Sequence, residues 1–358
     1  MSSAREDSVP HEVRTAAEPR QNRLYTVRLS QIVQVNPMIR LLRLTLPPPA
    51  TEQTQTQESN EQQQQPFTFL PGQWLDVHIP GIPQAGGFTI TSTPKDAELL
   101  PSPETPESLP AREDGLPPIR PRGREPYVEL AVQKSPSNPP AAWLWRPKEE
   151  ILGKELSIRV GGSFVWPPTG IGLEEIRNVV FVAGGVGINP LISMLSHISE
   201  TPTSLPSSSP TQIHFLYSTR VPPPSESPTS STATAEDTLN QILFLPRLRE
   251  IARSHTHAPS QRLLLSVDLF LTNLREHPDL VAALSGEDKD KAKGQDFTIH
   301  DRRIEIEDLR AAVGVGVGDG TVCFVCGPPA MTDEVVGVLR GLVSSEDGKE
   351  RVFCERWW

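Results

Sequence analysis

Cysteine is scarce, with three in 358 residues. That excludes a disulfide framework and an iron–sulfur cluster of the four-thiolate kind, and it suits a reducing compartment. Blocks of lysine and arginine are absent and the net charge is −10, so nucleic acid and anionic membranes find no electrostatic footprint. No apolar run approaches the ~20 residues of a transmembrane helix. The eight histidines show neither H-x-E nor H-E-x-x-H spacing, so no metal is expected. Residues 1–21 lack the apolar stretch of a secretory signal. Arg5, Arg14 and Arg20 are mixed there with Glu6, Asp7, Glu12 and Glu18, unlike an acid-poor mitochondrial presequence. A cytoplasmic location is expected first, a mitochondrial one second. Hydrophobic residues make up only 36% of the chain, and its 38 prolines are about twice the usual share. The prolines cluster in a few segments, which leaves the rest able to form cores.

The most informative stretch is Asn178 to Leu195. Val179-Val180-Phe181-Val182-Ala183 is apolar without alternation, as in a strand buried on both faces. Gly184, Gly185 and Gly187 make a tight turn, and Pro190 suits a first helical turn. Strand, glycine turn and helix start together let backbone N–H groups approach a pyrophosphate. An ordinary βα turn has the same appearance, and the stretch is not a G-x-G-x-x-G fingerprint.

Residues 1–22 read as a disordered polar tail. Up to about residue 170, short alternating segments follow one another: Leu24–Leu29, Ile39–Leu46, Gln73–Ile79, Gly86–Thr93, Tyr127–Lys134 and Glu155–Val160. Turn signals separate them, one short helix is expected at Ala141–Trp145, and two segments (47–66 and 95–125) are too rich in proline and polar residues to form core. This pattern predicts a small antiparallel barrel over 23–170. From 171 to 358 strands alternate with helices: strands at Val179–Val182, Ile213–Ser218, Leu263–Leu271 and Val322–Cys326, helices at Pro190–Ser199, Asp237–Ala252, Ile306–Ala312 and Pro329–Leu342. Insertions fall at 201–210, 221–234 and 285–295. The prediction is a parallel sheet with helices on both faces, which binds ligands beyond the carboxyl ends of its strands. Ala183–Asn189, Ser218-Thr219-Arg220 and Cys326–Pro329 all fall at such ends.

Barrel first and nucleotide sheet second is the order of the ferredoxin–NADP reductase superfamily, which the motifs resemble. Pro71-Gly72-Gln73-Trp74 is similar to P-G-Q-[YFW], Gly86–Ser92 occupies the place of the flavin motif R-x-[YF]-[ST]-x-x-[SN], and Gly161-Gly162-Ser163-Phe164 is similar to the G-P-x-G-x-F that ends the barrel. Ala183–Pro190 resembles A-G-G-[TV]-G-[IL]-[TN]-P, and Cys326–Met331 resembles C-G-P-P-x-M. Within the superfamily the chain resembles the subgroup called oxidoreductase NAD-binding domain-containing protein 1, which shares Gly-Gly-Phe in the flavin motif and a terminal Glu-x-Trp-Trp, here Glu355–Trp358.

The resemblance implies an antiparallel flavin-binding-type barrel followed by an NAD(P)-binding α/β domain. It implies a flavoenzyme that passes hydride from NADH or NADPH to FAD or FMN, and electrons on to a separate acceptor. Phe88 would pack on the isoalloxazine and Thr89 would meet its N5/O4 edge, with Ile90, Thr91 and Ser92 completing the motif. Thr89 and Cys326 are the catalytic candidates, Cys326 shaping the approach of the rings and not acting as a nucleophile. Gly184, Gly185, Val186, Gly187, Ile188 and Asn189 would hold the pyrophosphate and nicotinamide ribose, with Gly327 and Pro328 beside them; Asn189 could equally be an N-cap. Ser218 and Arg220 would read the adenosine ribose. With no acid at 218–220, a 2′-phosphate gains some ground there, although a solvated loop arginine has the same appearance. Trp358 would cover the flavin. Cys323 and Cys326 spell C-x-x-C, but within a strand they lack the helix N-terminus of a redox pair and the further ligands of a zinc site.

The chain departs from the pattern at Gly86, where an arginine would pair with a flavin phosphate. That departure keeps a second possibility open: a sensor that binds NAD(P)H beside a degenerate flavin site and performs no catalysis.

Overall fold

The computed structural model describes residues 10–47, 66–99, 125–201, 205, 210–223, 234–256, 263–285, 297–314, 320–343 and 348–356. Most of the expected insertions, and Trp358, lie outside these residues.

The front half is one antiparallel sheet built from β1 (Tyr25–Asn36), β2 (Ile39–Thr45), β3 (Trp74–His78), β4 (Gly86–Thr89), β5 (Tyr127–Gln133) and β6 (Glu155–Gly161), ordered β4-β3-β6-β1-β2-β5. Just past β4, Ile90 bridges to Leu130 of β5, which brings the two edges together and closes the barrel. Alternation does the packing: Val27, Leu29, Leu42, Leu44, Leu75, Val77, Leu156 and Ile158 all turn into one core. Helices α2 (Pro139–Leu144) and α3 (Lys148–Ile151) add Ala141, Leu144 and Ile151 to it. The Oδ1 of Asn138 caps α2 by accepting from the Ala141 N–H at 3.2 Å.

Where a disordered tail was expected, residues 10–22 dock on the barrel. Pro10 precedes a single helical turn, α1 (His11–Arg14). The Gln21 N–H then donates to the Val160 carbonyl at 2.9 Å, and the Gly162 N–H to that of Pro19 at 3.0 Å. The anchor is Asp76, wholly buried on the outer side of β3. His11 Nε2 lies 3.2 Å from its Oδ1, while Arg20 Nε and Arg159 Nη2 reach its Oδ2 at 3.0 and 2.8 Å. The Arg20 guanidinium also lies 4.8 Å from the Trp74 ring centroid. A polar segment is thus held by ion pairs, which hydrophobic periodicity cannot reveal.

The rear half is a parallel sheet, β10-β9-β8-β7-β11-β12, formed by β7 (Asn178–Gly184), β8 (Thr211–Thr219), β9 (Leu263–Leu271), β10 (Thr298–His300), β11 (Thr321–Cys326) and β12 (Val352–Glu355). β7 is buried along its whole length, and its residues alternate between two cores. Val179, Phe181 and Ala183 join the core that contains α4 (Ile188–Glu200) and the barrel's Phe164 and Trp166. Val180 and Val182 join the opposite one, with α8 (Ile306–Val313) and α9 (Pro329–Leu342). The expected helix Asp237–Ala252 is instead two, α5 (Ala235–Asn240) and α6 (Leu245–Thr256), with Phe244 between them at φ 59°. Pro246 explains the break, because it has no N–H to continue the helix and fits a first turn. One further helix, α7 (Pro278–Ser285), follows β9. No helix among the described residues is long and apolar enough to cross a membrane.

Candidate nucleotide and electron-transfer site

Two glycine loops meet on the carboxyl rim of the parallel sheet. Gly184 ends β7 and Gly327 follows β11, the neighbouring strand. A Cβ at Gly184 would lie 2.6 Å from Met331 Sδ and from Pro328 Cδ, and one at Gly187 would lie 2.1 Å from the Cys326 carbonyl oxygen. The loops interlock backbone to backbone, so the glycines are required by the packing itself. Gly185 differs: it sits at φ 54° with open space where its Cβ would be. It lines a cavity of about 1120 Å³ together with Gly184, Val186, Ser218, Arg220 and Pro328. Met38 and Gln133 of the barrel close the other side. The expected nucleotide-loop residues thus divide into those that face the cavity and those that build its wall.

Gly187, Ile188, Asn189, Cys326 and Gly327 belong to the wall. Ile188 is fully buried in the core, so its side chain meets no ligand. Asn189 lies inside α4, whose N-cap is Gly187, and is therefore not a cap. Its Nδ2 donates to the Ala131 carbonyl across the seam at 3.1 Å, and its buried Oδ1 has no partner among the described residues. Cys323 and Cys326 lie in opposite cores, as residues three apart on a strand must, so they form neither a redox pair nor a shared metal site. Burial pushes the Cys323 thiol up, away from a reactive thiolate. The described residues contain no group of three or more possible metal ligands.

On the barrel, Phe88 is half-buried and Thr89 buried at the end of β4. Ile90 is fully buried in the barrel core and offers a cofactor only backbone. Thr91 and Ser92 serve the strand junction. Thr91 Oγ1 donates to the Glu129 carboxylate at 2.9 Å, and Ser92 Oγ accepts from the Glu129 N–H at 3.0 Å. The Ser92 carbonyl accepts from Ser193 Oγ of α4 at 2.7 Å. The helix that starts at the nucleotide loop therefore touches the flavin-type motif directly.

Glu276 escaped the sequence reading, and Glu355 entered it only as part of a terminal motif. Glu276, in a turn after β9, lines the cavity and pairs with Arg220 at 3.3 Å. The acid missing from 218–220 is supplied from 56 residues away, which removes the argument for a 2′-phosphate. Both side chains are exposed, so the pair is weak and screened. Glu276→Gln is expected to shift selectivity toward NADPH by roughly fivefold, about 1 kcal/mol for one partly screened carboxylate. Titrations with each nucleotide check this, and equal shifts for both would refute the assignment.

Glu355 pairs in register with Cys326 at the end of β12. Burial pushes its carboxyl up to about 8; Glu18 adds to the shift and Arg14 opposes it. A folded-state value above the ordinary one makes stability fall as pH rises from about 4.5 through about 8. Glu355→Gln is expected to leave thermal stability unchanged at about pH 4 and to raise it at pH 9, as read from melting curves at the two pH values. A lower melting temperature at pH 9 would refute the upward shift of this half-buried carboxyl.

Residues 176–338 match the family model described as the ferric reductase NAD binding domain. The chain is 28% identical over 357 residues to oxidoreductase NAD-binding domain-containing protein 1 of Danio rerio, covering 97% of both chains. Among solved structures, the cytochrome P450 reductase GcoB of Amycolatopsis superposes with a TM-score of 0.54 at 16% identity, over 95% of this chain and 71% of that one. The cytochrome b5 reductase domain of Ulva prolifera nitrate reductase gives 0.52 at 15% identity, over 93% and 97%. The fold is that of the ferredoxin reductase-type structures, and the rear half is the part that matches the ferric reductase NAD binding domain.

Proposed function

We propose that this chain, with a ferredoxin reductase-type fold and an NAD-binding domain, is an NAD(P)H-dependent flavin oxidoreductase. It takes hydride from the nicotinamide and passes electrons to a separate acceptor. The observation that supports this best is the reach of α4. It starts directly after the glycine turn Gly185–Gly187, and its Asn189 and Ser193 bond the barrel backbone at Ala131 and Ser92. A nicotinamide held on that loop lies at the seam with the flavin-type motif.

The nucleotide fits the residues present, since Gly185 faces the cavity and leaves its backbone open to a phosphate. The flavin fits in part. Phe88, half-buried at the end of β4, would seat the ring with Thr89 beside it. At Gly86, however, a Cβ would lie 2.5 Å from Phe88 Cε2 and 2.6 Å from Pro140 Cβ, so no arginine could stand there to hold a phosphate. We therefore expect ring-dominated, readily reversible flavin binding, which leaves FAD and FMN both open. The chemistry supplied by a bound flavin is acceptance of a hydride from nicotinamide C4. The chain's own residues orient the two rings and exclude water.

The test is to mix purified protein, reconstituted with FAD or FMN, anaerobically with each reduced nucleotide. Bleaching of the flavin absorption supports the oxidoreductase. The lost phosphate contact at Gly86 favours the alternative, a non-catalytic NAD(P)H sensor. A protein that titrates with nucleotide but accepts neither flavin would establish that reading.

A further inference from the structure

The two halves are also joined by the segment between α5 and α6, which the nucleotide loop does not involve. Gln241, Ile242 and Leu243 line the large cavity. The Gln241 carbonyl accepts from Asn36 Nδ2 of the barrel at 2.9 Å. Among the described residues, Phe244 alone of the non-glycines has a positive φ. Such strain persists only where the surroundings over-determine it. Three residues on, the Arg247 guanidinium lies 4.7 Å from the Phe244 ring centroid. Its Nη1 donates to the Thr91 carbonyl at 3.0 Å and its Nη2 to Glu129 Oε1 at 2.8 Å. Glu129 is a buried residue, and the same oxygen receives the Thr91 hydroxyl. One planar fork therefore holds both the end of the flavin-type motif and the strand beside it, a geometry lysine cannot reproduce.

We infer that Arg247 is a positioning residue: it fixes Thr91 and Glu129, and through them Thr89, relative to the nucleotide cavity that Gln241–Leu243 line. Arg247 itself is outside the group of residues that line that cavity. It acts on the distance and angle between the rings and leaves nucleotide affinity alone. Reactions that depend on a near-attack geometry are sensitive to displacements of about 1 Å, so a loosened motif slows hydride transfer while binding persists.

The inference rests on the hydride-transfer reading, and two measurements keep the two apart. In anaerobic stopped-flow with reconstituted full chain, Arg247→Ala is expected to slow flavin reduction at saturating nucleotide by at least tenfold. Its nucleotide dissociation constant should stay within twofold of the parent's, with Arg247→Lys between the two. An unchanged rate, or a loss confined to affinity, would overturn the inference. The second measurement is hydrogen exchange of residues 86–93 with and without NAD, which needs no flavin. NAD should protect this segment in the parent and fail to do so in Arg247→Ala. Equal protection in both proteins, or none in the parent, would also overturn it. A parent that shows NAD protection without flavin reduction would refute the oxidoreductase and leave the positioning role standing.

Discussion

Asp76→Ala is expected to lower folding stability by about 3–5 kcal/mol, the usual cost of breaking a buried ion pair from one side. The carboxylate is fully buried, and two guanidinium groups and an imidazole converge on it. Removing it strands Arg20 and Arg159 in a partly desolvated place with no counter-charge. It also loosens residues 10–22, which this cluster holds together with the backbone bonds at Gln21 and Gly162 and the Glu18 carboxylate on Ser163. Burial alone would push the Asp76 carboxyl up. The contacts with His11, Arg159 and Arg20 outweigh it and hold the group at about 2. Because the folded-state value is depressed, this stabilisation is fully present above about pH 4 and is lost as pH falls through about 2. Urea unfolding at pH 7 is the measurement. A loss below about 1 kcal/mol, the scale of an exposed pair, would mean the docked segment contributes little.

The same cluster shows what the sequence could and could not tell. Strand and helix periodicity named β7, β8, β9, β11 and α9 almost to their ends, because each buries a continuous apolar face. The interlocked loops were legible as motifs, since close backbone contact restricts both to glycine. The docked N-terminal segment was not, because opposite charges far apart in the chain make no periodic pattern. Gly87 carries a trace of it: a Cβ there would lie 2.1 Å from His11 Nδ1, so a glycine in the flavin-type motif is explained by a residue 76 positions earlier. Glu276 and Arg247 were missed for a similar reason, as they reach the site from a turn and from the first turn of the second half of a broken helix. The break at Phe244 was readable, since Pro246 signals it, but the amphipathic run on either side masked the signal. The hydroxyls of Thr91 and Ser92, expected at a cofactor, also join the end of β4 to β5, a pairing that sequence spacing does not show.

Gly187→Ala is expected to be among the most damaging single methyls at the described glycines. Its added carbon would lie 2.1 Å from the Cys326 carbonyl oxygen, 2.4 Å from that carbonyl carbon and 2.7 Å from the Gly327 nitrogen. All three are backbone atoms in or beside a central strand, so neither loop can yield by turning a side chain. The strain should cost about 2–3 kcal/mol, near the upper end for overpacking. Because relief requires the two loops to separate, nucleotide affinity should fall at least tenfold with it. Gly184→Asp should abolish binding outright: its Cβ would meet Pro328 and Met331 at 2.6 Å and its charge would repel a phosphate. Gly337 in α9 is the control, having open space around its absent Cβ. Alanine there should stabilise by about 0.5–1 kcal/mol through helix propensity alone, with binding unchanged. Urea unfolding and nucleotide titration of the three variants separate the cases. Undiminished binding in Gly184→Asp would remove the loop from the nucleotide site, and a mild Gly187→Ala would show that the two loops are not locked together.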